Sequence, residues 1–243
     1  MNHVSDSVKA RPYDSSLRDE RARENRAAIL RAAYELFVAQ GYASTSVAAI
    51  AREAGVSADL IYKVFTNKRR LLVEVLNFVV IQDPEARSLQ EQEGPRAVKA
   101  ETDQRRQVAM LAADITASSI RARPVDDVFR SAAATDPDIA ERHARVHQTR
   151  LKNLRAAVGW VAANGPLRAG VSVDDAAATL WLLTGPDSHR QLVDGLGWEV
   201  ERWQAWVHST IEAAILPSVE EGSSVTISPG VTVAEGATGD RIG

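Results

Sequence analysis

The amino-acid sequence predicts an all-α fold. Apolar residues recur at intervals of three and four along most of the 243 residues, which is the spacing of buried helical faces. Glycine and proline separate these stretches, and no alternating run has the weight of a β-strand. The composition agrees, because 45% hydrophobic and 25% charged residues are typical of a globular protein. The length suits one large domain or two small ones.

The chain begins with a polar segment. Residues 1–17 lack periodicity, and we expect them to form a disordered arm. A helix is expected from about Arg18, and Gly41 ends it. Its apolar stripe comprises Ile29, Ala33, Leu36 and Phe37. This helix is the first of a DNA-binding head that we predict over residues 18–82.

Residues 41–65 have the pattern of a helix-turn-helix, whose two helices we place within residues 46–65. The buried face of the first of them comprises Val47, Ile50, Ala51 and Ala54. Gly55 tolerates the positive φ that a tight turn past a helix end requires. Ser57 is expected to cap the next helix, which DNA-binding proteins of this kind place in the major groove.

A fourth helix is expected over residues 67–82, with Thr66 and Asn67 as its cap and Pro84 after its end. Its apolar positions are Leu71, Leu72, Val75, Leu76 and Val79. Residues 83–104 are rich in Glu, Gln and Arg, and we expect a linker or an exposed helix there.

The second half of the chain predicts a helical body domain over residues 105–217. Asp136-Pro137-Asp138 marks a helix start, and Asn164-Gly165-Pro166 marks a stop. Helices are expected at about 105–122, 125–134, 138–164, 173–195 and 199–216. Pro217 closes the last of them, and residues 218–243 predict a flexible tail.

Composition excludes several functional classes. The absence of cysteine rules out disulfides, thiolate metal sites and cysteine nucleophiles. No apolar run reaches the roughly 20 residues that cross a bilayer, and no apolar block follows the N-terminal charges as it would in a secretory signal. We therefore expect a cytoplasmic protein with no membrane partner. Residues 1–82 carry a net charge of +3 and residues 83–243 one of −6, which suits contact with phosphates at one end.

No arrangement of catalytic residues is visible, so we expect no enzymatic activity and no cofactor. His143 and His147 are one helical turn apart, a spacing that can hold a metal ion if further ligands are present. Glu141 lies about 160° round the helix from His143, which is too far to join them. With no third ligand evident, no metal site is predicted. The histidines are expected to be partly buried or to line a ligand cavity.

Taken together, the head residues resemble the TetR family of bacterial transcriptional regulators. The resemblance is dense over about residues 22–82 and loose in the body, where residues 165–168 and 174–177 look like the entry to the penultimate helix of the family. The matching positions are Ile29-Leu30, Ala32-Ala33, Leu36-Phe37, Gly41-Tyr42, Thr45-Ser46-Val47, Ile50-Ala51, Ala54-Gly55-Val56-Ser57, Ile61-Tyr62, Phe65, Asn67-Lys68 and Leu71-Leu72. The resemblance implies a three-helix DNA-binding head, a ligand-binding body and a homodimer formed by the last two long helices.

The resemblance also implies roles for individual residues of the head. Tyr62 and Lys63 would contact phosphates and the groove, and Thr45 and Lys68 would each bind a phosphate at a helix start. At Asp59 and Leu60 the family often has Gly or Pro followed by Thr or Ser, so the operator sequence of relatives does not transfer. The predicted DNA-binding set is Thr45, Ser46, Ser57, Asp59, Leu60, Tyr62, Lys63 and Lys68.

Two further sets are predicted in the body. An effector pocket for a small hydrophobic molecule would be lined by Met110, Ile115, Phe129, His143, His147 and Trp181. A dimer seam, in which the apolar stripe of the last helix packs against the partner, would include Leu180, Trp181, Trp203, Trp206 and Ile211.

The leading hypothesis from the sequence is a dimeric repressor that binds a palindromic double-stranded DNA operator and is released by a small-molecule effector. One alternative is an activator or a ligand-insensitive DNA binder with the same head. A second is a helical interaction module whose head has lost DNA binding, an alternative that Asp59 and Leu60 keep open.

Overall fold

The computed structural model describes residues 15–81 and 88–218, and within these ranges the chain is helical with no β-strand. The predicted all-α fold is therefore confirmed. Residues 219–243 of the predicted tail, most of the N-terminal arm, and Pro84 lie outside the described residues. None of the helices in the described ranges combines the length and the apolar character that spanning a bilayer requires.

Four helices form the N-terminal head. They are α1 (Ser15–Ser44), α2 (Val47–Glu53), α3 (Ala58–Phe65) and α4 (Lys68–Val80). The predicted caps Ser57 and Asn67 are confirmed. Like Ser46 ahead of α2, each accepts a hydrogen bond through its side chain from the backbone N–H three residues further along. α1 begins at Ser15, earlier than the predicted start at Arg18, so residues 15–17 are helical.

α1 is kinked at Gly41, where the sequence predicts its end. The backbone there has φ 80° and ψ 166°, a conformation open essentially to glycine alone. A short helical segment follows the kink, and in it Tyr42 packs on Phe37 with ring centroids 5.6 Å apart. The kink thus directs the chain into the helix-turn-helix while keeping it against the head core.

The body begins with a 3₁₀ turn (Leu89–Glu91) and continues through six α-helices. These are α5 (Glu93–Ala100), α6 (Gln104–Ala133), α7 (Pro137–Ala163), α8 (Val173–Leu183), α9 (Pro186–His189) and α10 (Val200–Ile215). α5 packs on α6, with Val98 fully buried and its carbonyl accepting a hydrogen bond from the Gln107 side chain. The described part of residues 83–104 thus contains a helix whose residues are mostly exposed and which is attached to the body through Val98.

Two other body helices differ from the prediction at prolines. α6 runs through Pro124 as one helix, whereas the sequence predicts two, because burial of Val125, Val128 and Phe129 on one face offsets the missing N–H. The predicted helix over residues 173–195 ends instead at Leu183, because Gly185 is extended and Pro186 opens α9. A π-helical turn, Arg190–Gly195, completes that segment.

The head and the body share one apolar core, which we call the joint. The head contributes Ile29, Ala33, Phe37, Ile50, Ile61, Phe65, Leu71, Leu72 and Val75, and the body contributes Val125, Val128, Phe129, Ala132 and Ile139. Polar contacts lie beside it. Arg69 of α4 pairs with Asp136 at 3.0 Å and with Asp138 at 3.3 Å, at the turn between α6 and α7. The head is therefore fixed to the end of α6 and the start of α7.

A second apolar core lies inside the body, and it corrects part of the predicted dimer seam. Leu180, Trp203 and Ile211 are fully buried within the chain, among residues of α6, α7, α8 and α10. They pack inward because α10 lies against both α6 and α8. Trp181 and Trp206 of the predicted seam are only partly buried.

Replacement of Gly41 tests the kink. An added Cβ meets no heavy atom within 4 Å at Gly41, nor at Gly159 of α7, so space does not distinguish the two sites. The backbone does, and we expect Gly41→Ala to lower the free energy of unfolding by about 1–3 kcal/mol. Gly159→Ala should raise it by up to about 1 kcal/mol, as expected for a helical glycine. Urea unfolding followed by circular dichroism measures the free energy of unfolding of both variants. Equal changes in Gly41→Ala and Gly159→Ala would show that a side chain at Gly41 causes no strain.

Candidate nucleic-acid interface

The third helix presents two different faces. Ile61 and Phe65 point into the head core and are about 1% exposed each. Asp59, Tyr62, Lys63 and Val64 lie on the solvent side, with Tyr62 50% and Val64 40% exposed. An isolated helix of eight residues is not stable in water, so this exposed face is held in place by the two buried side chains.

The turn before α3 fixes its direction. Gly55 has φ 68°, and the N–H of Val56 donates to the carbonyl of Ala51 at 3.0 Å. Val56 is half-buried and packs against the head core. The geometry is that of a helix-turn-helix, with α3 on the outside of the head.

Ser46 and Ser57 are exposed and act as helix caps. Each hydroxyl oxygen accepts a backbone N–H, at 3.1 Å for Ser46 and 3.2 Å for Ser57. The hydroxyl proton of a capping serine can still be donated outward. Both residues are therefore accessible, and their contact with DNA stays a prediction. Leu60 is half-buried, so it offers less surface than Asp59 beside it.

Thr45 has an internal role that differs from the predicted phosphate contact. Its side chain is 1% exposed, and its hydroxyl donates to the carbonyls of Gly41 at 2.8 Å and Leu36 at 3.1 Å. Those carbonyls lie at the kinked end of α1. We therefore remove Thr45 from the proposed set of DNA contacts, because its only side-chain proton is used within the head.

Lys68 is also held inside the head. Its ammonium donates to the carbonyls of Tyr42 at 2.8 Å and Thr45 at 2.9 Å, and it lies 4.1 Å from the centre of the Tyr42 ring. Partial burial lowers the pKa of this ammonium. Lys68 thus joins the first residue of α4 to the segment between α1 and α2. We call this contact the brace. It explains why a lysine stands at this position even if the side chain binds no phosphate.

Val64 is the exposed residue of this face that the predicted DNA-binding set lacks. It is an apolar side chain beside Lys63 and is 40% exposed. The sequence could have indicated this exposure. Ile61 and Phe65 are four residues apart and already form the buried face, so Val64 is expected outside it. Val64 therefore belongs with Tyr62 and Lys63 among candidate groove contacts.

Four of the six predicted pocket residues are contiguous in the body. Phe129 stacks on His143 at 5.5 Å, His143 meets His147 edge-on at 4.4 Å, and His147 meets Trp181 at 5.9 Å between ring centroids. Met110 and Ile115 instead pack against the body core. The structure thus brings four of the predicted residues together as a row of rings, which connects the joint with α8.

Asp126 of α6 joins the two histidines, a contact that no sequence pattern predicted. Its Oδ1 lies 2.8 Å from His143 Nε2, and His143 Nε2 lies 3.0 Å from His147 Nε2. Burial raises the pKa of Asp126, but the hydrogen bond from His143 and the nearby positive groups outweigh burial, and the net pKa is lowered. Burial and the neighbouring His143 lower the pKa of His147.

Arg150 lies near this cluster and is half-buried. Burial lowers its pKa to about 10, and its guanidinium donates to the carbonyl of Trp181 at 2.9 Å and to the hydroxyl of Thr184. The indole N–H of Trp181 and Nδ1 of His147 are buried with no hydrogen-bond partner. Polar groups in this region are therefore incompletely satisfied within the described chain.

Two open grooves lie where the head meets the body. One of about 380 Å³ is lined by Tyr34, Phe78, Val79 and Arg121. The other, of about 590 Å³, lies beside Gly41, with Arg123, Asp127 and His189 on its body side. None of the predicted pocket residues lines either groove, so these two grooves do not correspond to the effector pocket predicted from the sequence.

Comparison with known proteins agrees with this geometry. Residues 29–75, which run from α1 to α4, match the family described as bacterial regulatory proteins, tetR family. The HTH-type transcriptional regulator HbdR of Aromatoleum sp. (strain CIB) is 39% identical over 98 residues, which is 40% of this chain. The match spans only 38% of the length of HbdR.

Solved structures extend the likeness over the whole fold. The SmeT–triclosan complex is similar with a TM-score of 0.63 at 22% identity, covering 87% of this chain and 99% of that one. NalD, the secondary repressor of the MexAB-OprM multidrug efflux pump in Pseudomonas aeruginosa, has a TM-score of 0.56 at 21% identity, covering 80% and 98%. At these identities the likeness establishes the arrangement of the helices.

Lys68→Met tests the brace. The change leaves two carbonyls without their charged donor, and we expect the free energy of unfolding to fall by about 1–2 kcal/mol. Lys63→Met is the matched control, since Lys63 is exposed on α3, and its effect should stay within about 0.5 kcal/mol. Urea unfolding compares the two variants. Equal stability of both would show that Lys68 does not brace the head and would return it to the candidate phosphate contacts.

Proposed function

We propose that this chain, which belongs to the TetR family of bacterial regulatory proteins, is a transcriptional regulator that binds double-stranded DNA through α3. The single observation that carries the proposal is the exposed face of α3. It presents Tyr62, Lys63 and Val64 outward, on a helix whose other face is fixed in the head core. A helix of this kind enters the major groove in helix-turn-helix proteins.

The residues of α3 divide by chemistry into two groups. Lys63 and the Tyr62 hydroxyl suit phosphate oxygens, which position a protein on DNA without reading the sequence. Asp59 and Val64 suit base edges, because a carboxylate accepts from the cytosine amino group and an apolar side chain contacts the thymine methyl. Asp59 lies in the first turn of α3, beside the Ser57 cap. This arrangement supports sequence-specific binding and weakens the alternative of a head that has lost DNA binding.

We place the dimer interface on the outer faces of α8 and α10. Leu182 of α8 is 65% exposed, and Trp206 of α10 is partly exposed next to the small residues Ala205 and Ser209. An exposed leucine and a partly exposed tryptophan on adjacent helices favour self-association. Two subunits would then present two α3 helices about 34–36 Å apart to successive major grooves of a palindromic site.

Control by a small molecule follows from the way the head is attached. α4 packs on α6 and pairs with the α6–α7 turn through Arg69, so a change in these body helices moves the head. A ligand that favours one arrangement of α6 and α7 changes DNA affinity, and DNA changes ligand affinity by the same factor. The triclosan bound to SmeT supports this proposal by analogy of fold. We propose repression with release by the effector as the direction of control.

DNA binding is tested by selection from random double-stranded sequences, followed by mobility shift with the selected site. Tyr62→Ala and Lys63→Ala should each weaken binding about tenfold, and Lys63→Ala should lower the dependence of log affinity on log salt by about one unit. Lys152→Ala, an exposed lysine of α7 in the body, is the matched control and should bind like the wild type. Failure to recover any preferred site would favour the interaction-module alternative.

The dimer is tested by sedimentation of Leu182→Glu. A buried charge at the seam should convert the dimer to a monomer and weaken binding to a palindromic site. Leu17→Glu is the control, because Leu17 is 63% exposed, close to the exposure of Leu182, but lies in α1 of the head. A dimer that persists in Leu182→Glu would place the interface elsewhere.

A further inference from the structure

Three potential ligand atoms converge between α6 and α7. Asp126 Oδ1 lies 2.8 Å from His143 Nε2 and 3.7 Å from His147 Nε2, and the two imidazole nitrogens are 3.0 Å apart. Ligand atoms that each bind one zinc ion at 2.0–2.1 Å are about 3.3 Å apart in a tetrahedral site. The triangle therefore already has the size of one face of a metal coordination shell.

The three facing atoms of this cluster, two imidazole nitrogens and one carboxylate oxygen, have more lone pairs than there are protons between them. Two imidazole nitrogens at 3.0 Å share one proton, so one of them offers a lone pair to the other. The carboxylate adds a second acceptor at the same point. A cation in place of the shared proton satisfies all three atoms when each neutral histidine carries its proton on Nδ1, a position that at His147 has no hydrogen-bond partner among the described residues.

The groups around the cluster orient the carboxylate. Arg190 Nη1 lies 3.5 Å from Asp126 Oδ2, and it also pairs with Asp127. The arginine thus occupies one oxygen of Asp126 and leaves Oδ1 toward the histidines, which is the role of an outer partner in metal sites. The charge of Arg150 opposes a cation beside His147, and the carboxylates of Asp126 and Asp187 favour one.

The cluster is buried on one side and open on the other. The Asp126 side chain is 8% exposed, that of His143 16%, and that of His147 28%. An ion can enter past His147, and water or an effector atom can complete its coordination there. Two imidazoles and one carboxylate suit zinc, cobalt, nickel or ferrous ions, whereas calcium and magnesium prefer oxygen ligands throughout.

We propose that Asp126, His143 and His147 form a binding site for a divalent first-row transition-metal ion, and that occupancy of this site changes the DNA affinity of the head. The second half rests on the proposed DNA-binding function. The link between them is short. Asp126 lies next to Val125 of the joint on α6, and His143 stacks on Phe129, which is fully buried there. A metal that joins α6 to α7 therefore sets the spacing between α6, on which α4 packs, and the start of α7, which Arg69 of α4 contacts.

Metal binding is tested on the untagged, full-length protein after treatment with a chelator and desalting. The chain has no cysteine and five histidines, so few other sites compete. Titration with zinc followed by calorimetry should give one ion per chain, and cobalt should develop the visible absorption of a low-symmetry site with nitrogen ligands. His147→Gln and Asp126→Asn should each weaken binding at least about 100-fold.

His208→Gln is the matched control, because His208 lies on α10 with a carboxylate of Glu212 nearby but no second histidine. It should bind metal like the wild type. Far-ultraviolet circular dichroism of each variant establishes that it is folded, and His147→Gln, at the open side of the cluster, is the least disruptive change. Zinc binding that is equal in the wild type and His147→Gln, or absent from the wild type, overturns the metal site.

Coupling is tested by mobility shift on the selected DNA site with and without zinc. Zinc should change the affinity of the wild type at least about fivefold and leave His147→Gln unchanged. An unchanged wild-type affinity, with zinc bound, overturns the regulatory half of the proposal. A protein that binds zinc but recovers no DNA in the selection would overturn the proposed function, while the metal site would stand on its own titration.

Discussion

The apolar joint between head and body is the constraint on which the rest of the structure depends. A four-helix head of this size has little apolar surface to bury by itself, and here part of its core is supplied by Val125, Phe129 and Ile139. The same body residues lie beside Asp126 and His143. The surface that stabilises the head is thus continuous with the region proposed to sense a ligand, so stability and regulation act on the same contacts.

Within the head, the exposed face of α3 is shaped by groups that never reach solvent. Thr45 closes the kinked end of α1, and Lys68 binds the carbonyls on either side of it. Both residues looked like phosphate ligands in the sequence. The structure shows instead that both side chains donate to backbone carbonyls at or near the end of α1, where a helix leaves carbonyls without intrahelical donors. Tyr62, Lys63 and their exposed neighbours on α3, together with Ser46 and Ser57, remain the candidate DNA contacts.

Local signals predicted the head well and the body less well. The caps, the positive φ of Gly55 and the ends of α2, α3 and α4 follow from residues a few positions apart, so the sequence contains them directly. The continuity of α6 through Pro124 depends on packing against other helices, which local pattern cannot report. Asp126 lies 17 residues before His143, and their meeting depends on how α6 and α7 pair. For the same reason, Trp203 was wrongly predicted in the dimer seam, because the apolar stripe of α10 to which it belongs faces the core of its own chain.

The proline in α6 gives the structure a mechanical property. α6 has 30 residues and is about 45 Å long, and it runs from the body core to the joint. Because Pro124 has no N–H, the carbonyl one turn earlier lacks its helical donor, and the bending stiffness of this rod is lowest there. A bend of about 5° at that point displaces the end of α6, about 14 Å further on, by about 1 Å. Asp126 lies just beyond the compliant point, on the segment that would swing.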